Sequence, residues 1–307
     1  MKNLHYKWVA LVLVVATLFA SCKKKEVEQQ TAPEDDGAPI TEQLRFCESV
    51  CPYDGGLLIA NFGTNSLGDS IVDGLGYITY YKDCENKVLI PADGHLTTPR
   101  GMGVYQDHLF ICCLNSIVVY NLKNLEAEPQ TILFPEEDLM VNDLVINSGG
   151  TLFASVSNTG RIYILAIQNP DAIDINTLRL FVEIPGANGL CLEGRHLYIA
   201  SFNPQGEPTE ENVLYVIDDV SNPADIRHLS TTPGQYDGLV MSPDHTLLFF
   251  TDWNNGGQVG YLRFETNEIT YLPSDGIVGP ADLHVFGNQL CVPDLVNSTV
   301  YRFLLEM

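Results

Sequence analysis

Short apolar runs, each closed by a turn signal, recur along almost the whole chain, and no long stretch keeps a helical period. Tyr236-Asp237-Gly238-Leu239-Val240-Met241 is one such run. It is followed by the turn Ser242-Pro243-Asp244 and a second run, Leu247–Thr251. Ala187-Asn188-Gly189-Leu190-Cys191-Leu192 repeats the plan with His196–Ser201 as its second run. Val141-Asn142-Asp143-Leu144-Val145-Ile146 does so with Leu152–Val156. Aligning the runs puts Arg100, Asn142, Asn188, Asp237 and Ala281 in one register, at intervals of 42, 46, 49 and 44 residues. That is the period of a propeller blade of about four strands.

Six units follow from this register. The first opens at Glu48 and continues through Leu57–Phe62, Gly76–Tyr81 and Lys87–Ile90. The others begin near Pro99, Val141, Ala187, Tyr236 and Pro280. The last has three runs, Leu283–Val285, Gln289–Val292 and Thr299–Leu305, and lacks an outermost strand. Pro39–Leu44 precedes the first unit and is expected to supply it, closing the ring without a long exposed edge. The predicted fold is therefore all-β, a six-bladed β-propeller of four-stranded blades over residues 39–307.

The first residues follow a different logic. Lys2 and Lys7 flank a short basic region, and the apolar run Trp8–Ala20 is too short to span a bilayer comfortably. It ends in Leu18-Phe19-Ala20-Ser21-Cys22, which resembles the lipobox of bacterial lipoproteins. That resemblance implies a signal peptide over 1–21, lipidation of Cys22 and a place in the cell envelope, periplasmic or surface-exposed. Residues 22–38 carry almost no large apolar side chain and are expected to form a solvated tether. The membrane is then met through the lipid anchor only.

Charge narrows the partners. The chain carries 16 Lys and Arg against 39 Asp and Glu. Removal of residues 1–21 takes away Lys2 and Lys7 and no acid, so the mature chain keeps 14 basic residues against 39 acids, a net charge of −25. Such a body repels nucleic acid phosphates and attracts cations. After Cys22 seven cysteines remain, with no CxxC spacing, and Cys191 and Cys291 sit in apolar runs as buried small side chains. The protein is expected to act as a monomer on a small molecule.

In a propeller the residues entering the innermost strands meet around the central channel. Glu48, Arg100, Asn142, Asn188 and Asp237 are therefore expected to converge from five blades. Two carboxylates and two amides are hard oxygen ligands suited to Ca²⁺ or another divalent metal, and the absence of His and Cys disfavours Zn²⁺. Arg100, with Asn142, is a candidate for binding substrate. Tight turns between blades would also use Asn-Gly and Asp-Gly dipeptides. Trp253 and Phe62 are expected to pack, or to line a lip of the channel. His108, His196 and His245 fall in the turns at the opposite end. Ser49, His284 and Asp252 follow no triad spacing.

Glu48-Ser49 with Pro52-Tyr53 and Gly56-Leu57-Leu58, Asn142-Asp143, Asn188-Gly189-Leu190 and Asp237-Gly238-Leu239 resemble the calcium-dependent lactonase propellers, the gluconolactonase and regucalcin (senescence marker protein) family. The resemblance runs from about Leu44 to Phe303. It implies that Glu48, Asn188 and Asp237 bind the metal, that Asn142 contacts metal or substrate, and that Asp237 is the catalytic general base for ring opening. The pattern departs at Met140, where sugar-lactone members carry an arginine, and Arg100 from the neighbouring blade is the residue placed to supply a positive charge instead. Two functions stand open at this point: a metal-dependent hydrolase of lactones or esters, and a non-catalytic envelope propeller binding a glycan, peptide or protein partner.

Overall fold

The second strand of each blade explains why the sequence reads as it does. Gly56–Asn61, His108–Cys112, Thr151–Val156, His196–Ser201, Leu247–Asp252 and Gln289–Asp294 are buried almost throughout. A strand covered on both faces has no solvent side, so its apolar residues run on instead of alternating. In the computed structural model, which describes residues 37–67 and 74–305, these strands are the middles of six antiparallel sheets. The signal peptide, Cys22 and residues 22–36 of the expected tether lie outside the described residues.

Five sheets have four strands each, and the sixth, of His284–Phe286, Gln289–Asp294 and Thr299–Leu304, has three. The innermost strands are Cys47–Tyr53, Met102–Tyr105, Val141–Ile146, Ala187–Glu193, Tyr236–Met241 and His284–Phe286. Outer strands such as Arg179–Glu183 are largely exposed. Among the described residues the helices are two three-residue 3-10 turns, Ile175–Thr177 and Asn254–Gly256, and none is long and apolar enough to cross a membrane.

Apolar packing falls into six clusters, and each joins two neighbouring blades. Leu58 and Ile78 of blade one meet Leu109 and Ile111 of blade two, and Phe110 of blade two meets Leu144 and Leu152 of blade three. The series continues around the ring to Cys291 and Val300 of blade six, which pack with Cys47, Val50 and Leu57 of blade one. No blade buries its faces alone, so the ring is the unit of stability.

The N-terminal segment closes this ring, as the missing outer strand of blade six requires. Ile40 and Val300 exchange two backbone hydrogen bonds of 2.9 Å. The closure is one bridge instead of a full strand. Contacts begin slightly before residue 39, because the Arg302 guanidinium donates to the Ala38 carbonyl at 2.7 Å.

A β-bulge interrupts the start of four innermost strands. In blade five, Tyr236 pairs with Asp252 and Leu239 with Phe250, leaving Asp237 and Gly238 opposite Thr251 alone. Asn188 and Gly189 likewise face Ala200, and Asn142 and Asp143 face Ser155. Glu48 is the extra residue between Cys47 and Ser49. A bulge turns side chains that a regular ladder would send to alternate faces, and here the turned residues are those of the sequence register. They are strand residues at bulges, not turn caps.

Candidate functional site at the channel mouth

Glu48, Arg100, Asn142, Asn188 and Asp237 all sit at the entrance of an innermost strand, and each is at least nine-tenths buried. Adjacent inner strands approach closely there. The Gly101 N–H donates to the Asn142 carbonyl at 2.9 Å, and the Asp282 N–H to the Glu48 carbonyl at 3.1 Å. A Cβ on Gly189 would stand 2.1 Å from the Asp237 carbonyl oxygen, so glycine is required for the neighbouring blade to come so near.

The polar groups are unevenly satisfied. Asp237 Oδ2 accepts the indole N–H of Trp253 at 2.8 Å. Glu48 Oε2 and Asn188 Oδ1 are buried acceptors without a partner among the described residues. Burying a polar oxygen without a donor costs on the order of 1–3 kcal/mol. Thr79 Oγ1 and Asn86 Oδ1 are orphaned likewise outside the mouth, so what sets the mouth apart is that two such acceptors belong to one polar cluster. Arg100 donates through Nη1 to the Thr98 carbonyl at 3.2 Å and to Thr98 Oγ1 at 3.1 Å. Its guanidinium carbon lies 5.4 Å from the centroid of the Phe62 ring. It forms no ion pair with a described carboxylate.

Burial dominates the electrostatics. It holds the Glu48 carboxyl well above the usual range, Asp237 adds to the rise, and the charge of Arg100 opposes it. Burial pushes Asp237 up to about 7, while Trp253, Arg100 and the Asn188 amide pull it back. One residue further along the register, Asp143 and Asp282 are also raised by burial, Asp282 to about 6. Both are engaged locally. Asp143 accepts the N–H groups of Leu144 and Leu190, and Asp282 accepts that of Leu283 and the Ser49 hydroxyl.

The donors of the mouth are of the kind a hard cation takes: they are oxygens, two of them lack any other partner, and both carboxylates carry raised pKa values that a cation would reverse. Among the described residues no group of three or more His, Cys, Asp or Glu is placed to hold a metal ion. The mouth set has two carboxylates and two amides, so at least one amide, Asn188, would have to serve as a ligand if a metal is held there.

The remaining sequence candidates separate cleanly. His108, His196 and His245 lie at the opposite end, near Asp171, Asp218 and Glu193. Ser49 bonds Asp282, Asp252 accepts from Gln235 and Tyr271, and the His284 Nδ1–H donates to the Val285 carbonyl. These are three separate networks and no triad. Cys47 and Cys51 lie along one strand as buried free thiols.

Trp253 does more than pack, since it fixes the Asp237 carboxylate, and Phe202 stands edge-on to it at 6.3 Å between centroids. Phe62, Phe202 and Trp253 each follow directly on the second strand of their blade. That shared position is a register signal of the same kind as the one that locates Asp237. Below the mouth lies a cavity of about 380 Å³ lined by Leu144, Leu190, Leu283 and His284, with Asp143 and Asp282 at its wall. A larger groove of about 920 Å³ lies between blades five and six, beside the Ser242–Asp244 turn, and shares no residue with the mouth.

No family model matches the chain, and no curated protein matches it either. Among solved structures 1149 chains match, so the likeness marks a widely shared fold. One is the crystal structure of a nidogen/laminin complex, at 15% identity and a TM-score of 0.56, covering 81% of this chain and 84% of that one. At that identity the likeness shows the architecture and nothing finer: the chain has the fold of a six-bladed β-propeller.

Proposed function

We propose that this protein is an envelope-anchored, calcium-dependent hydrolase of a lactone or related ester, tethered through Cys22 and acting at the channel mouth. The observation that carries the reading is the pair of orphaned buried acceptors, Glu48 Oε2 and Asn188 Oδ1, beside the raised carboxyl of Asp237. Glu48, Asn188 and Asp237 would hold the ion, with Asn142 contacting it or the substrate. When bound, a divalent cation supplies Lewis-acid polarisation of an ester carbonyl.

The chain's own residues supply the rest. Asp237 accepts a proton from water as the water oxygen bonds to the acyl carbon, and the same proton passes to the departing alkoxide as the acyl–oxygen bond breaks. An asparagine at 237 would keep a ligand oxygen and lose the base. Trp253, through its 2.8 Å bond, holds the carboxylate in one orientation. The buried walls exclude bulk water, which strengthens each electrostatic contact.

Calorimetric titration of the full chain with Ca²⁺, followed by a panel of lactones and esters, tests the reading. Binding by the wild type, weaker binding by Asp237→Asn and turnover lost in that variant are expected. No calcium binding by the wild type would remove the proposal. Binding without turnover of any panel member would leave a calcium-holding propeller that recognises a ligand without converting it.

A further inference from the structure

Arg100 is the unusual member of the mouth. A buried guanidinium ordinarily has its N–H groups taken up by carboxylates or carbonyls. Here only Nη1 is engaged, by Thr98, and the flat face rests on Phe62. Nε and Nη2 donate to no described residue, although the side chain is over nine-tenths buried. Glu48 and Asp237 are near enough for the charge of Arg100 to lower their pKa values, yet neither pairs with it. Thr98 and Phe62 therefore hold the guanidinium in place with one edge uncommitted.

Pairing gives that edge a purpose. Asp143 and Asp282 lie behind the mouth with their oxygens taken up by backbone and hydroxyl donors, so once a cation occupies Glu48 and Asp237 the guanidinium edge is the charged group left without a partner. A buried site favours a ligand that pairs with it. Across the channel the edge of the mouth is apolar and aromatic, formed by the half-buried rings of Phe202 and Trp253. We infer that the substrate is anionic: a lactone or ester bearing a carboxylate that the free edge of Arg100 receives as a paired hydrogen-bond acceptor, with its apolar body against Phe202 and Trp253. This rests on the calcium-dependent reading, because without the cation the mouth has excess negative charge and repels an anion.

The test is binding of phenylacetate and of its neutral analogue phenylacetamide to the calcium-loaded full chain, by calorimetry, in wild type, Arg100→Met and Arg100→Lys. Wild type is expected to prefer the carboxylate by about tenfold to a hundredfold, the range for a charged hydrogen bond in a buried site. Arg100→Met should erase the preference, and Arg100→Lys should keep part of it as a point charge without the fork. Thermal melts report whether each variant folds, and the wild-type preference decides the matter even if Arg100→Met does not. Equal affinity for the two probes, binding of neither, or an undiminished preference in folded Arg100→Met would overturn the carboxylate while leaving calcium binding standing. Absence of calcium binding in the same titration would overturn both ideas together.

Discussion

At the scale of single residues the protein turns on Asp237 and the indole that touches it. Its carboxyl is raised to about 7 in the folded chain against about 4 when unfolded. Between those values the folded, metal-free protein holds a proton that the unfolded chain has released. The contribution of this group to stability therefore falls as pH rises through that window and is level above about 7. Asp237→Asn removes the buried charge, so in chelator it should melt higher than wild type at pH 8, and the gap should narrow steadily as pH falls to 5. An unchanged gap across that range would mean the carboxyl is not raised. Trp253 gives a second view, because the chain has two tryptophans and Trp8 is the other. In a Trp8→Phe chain, indole fluorescence in chelator should titrate with a midpoint near 7, and Asp237→Asn should flatten that curve. Glu48 is raised as well, and a cation needs both carboxylates ionised. Calcium uptake at pH 6.5 should accordingly release protons, seen as a dependence of calorimetric heat on the ionisation enthalpy of the buffer. Heats that do not vary with the buffer would show both groups already ionised.

Among strands and bulges, the sequence discloses more of the spacing than of the geometry. Leu57–Phe62 and Leu247–Thr251 read as strands because neighbouring blades cover both faces of Gly56–Asn61 and Leu247–Asp252, making their apolar runs continuous. The common register of Asn142, Asn188 and Asp237 was visible for the same reason. What Asn188-Gly189 and Asp237-Gly238 do was not visible, since these dipeptides suit a turn as well as a bulge. Only the pairing of Tyr236 with Asp252 and Leu239 with Phe250 reveals two residues facing one. That pairing also brings Trp253 to Asp237, a contact between positions sixteen residues apart that no periodicity announces. The glycines are then explained by approach between blades. Gly189→Ala would press a methyl to 2.1 Å from the Asp237 carbonyl oxygen. Overpacking of this kind costs about 1–3 kcal/mol. Urea denaturation should show such a loss, together with weaker calcium binding because the pressed atom belongs to a proposed ligand residue. A variant as stable as wild type would mean that the two strands can part freely.

For the whole molecule the decisive feature is that stability is distributed around a ring and joined at one place. Each apolar cluster belongs to two blades, so the junction of blades six and one must supply a sixth interface like the others. Here it is Cys291 and Val300 against Cys47, Val50 and Leu57, with Ile40 laid over them and bonded to Val300. Ile40 is 5% exposed, whereas Leu304, on the strand that carries its partner Val300, is 68% exposed. Truncation of a buried isoleucine costs about 2–5 kcal/mol, and removal of an exposed leucine far less. Ile40→Ala should therefore lower the urea midpoint substantially, and Leu304→Ala should leave it nearly unchanged. Because the interfaces stand in series around the ring, the Ile40 loss should appear in one cooperative transition instead of in a separate early melting of blade six. It should also carry over to the mouth, for Glu48 enters from blade one and Asp237 from blade five, and the Asp282 N–H to Glu48 carbonyl bond crosses the same junction. Weaker calcium binding in Ile40→Ala, with Leu304→Ala at wild-type affinity, is the expected result. An Ile40→Ala chain that lost stability but bound calcium normally would show that the mouth holds its geometry without the closure of the ring.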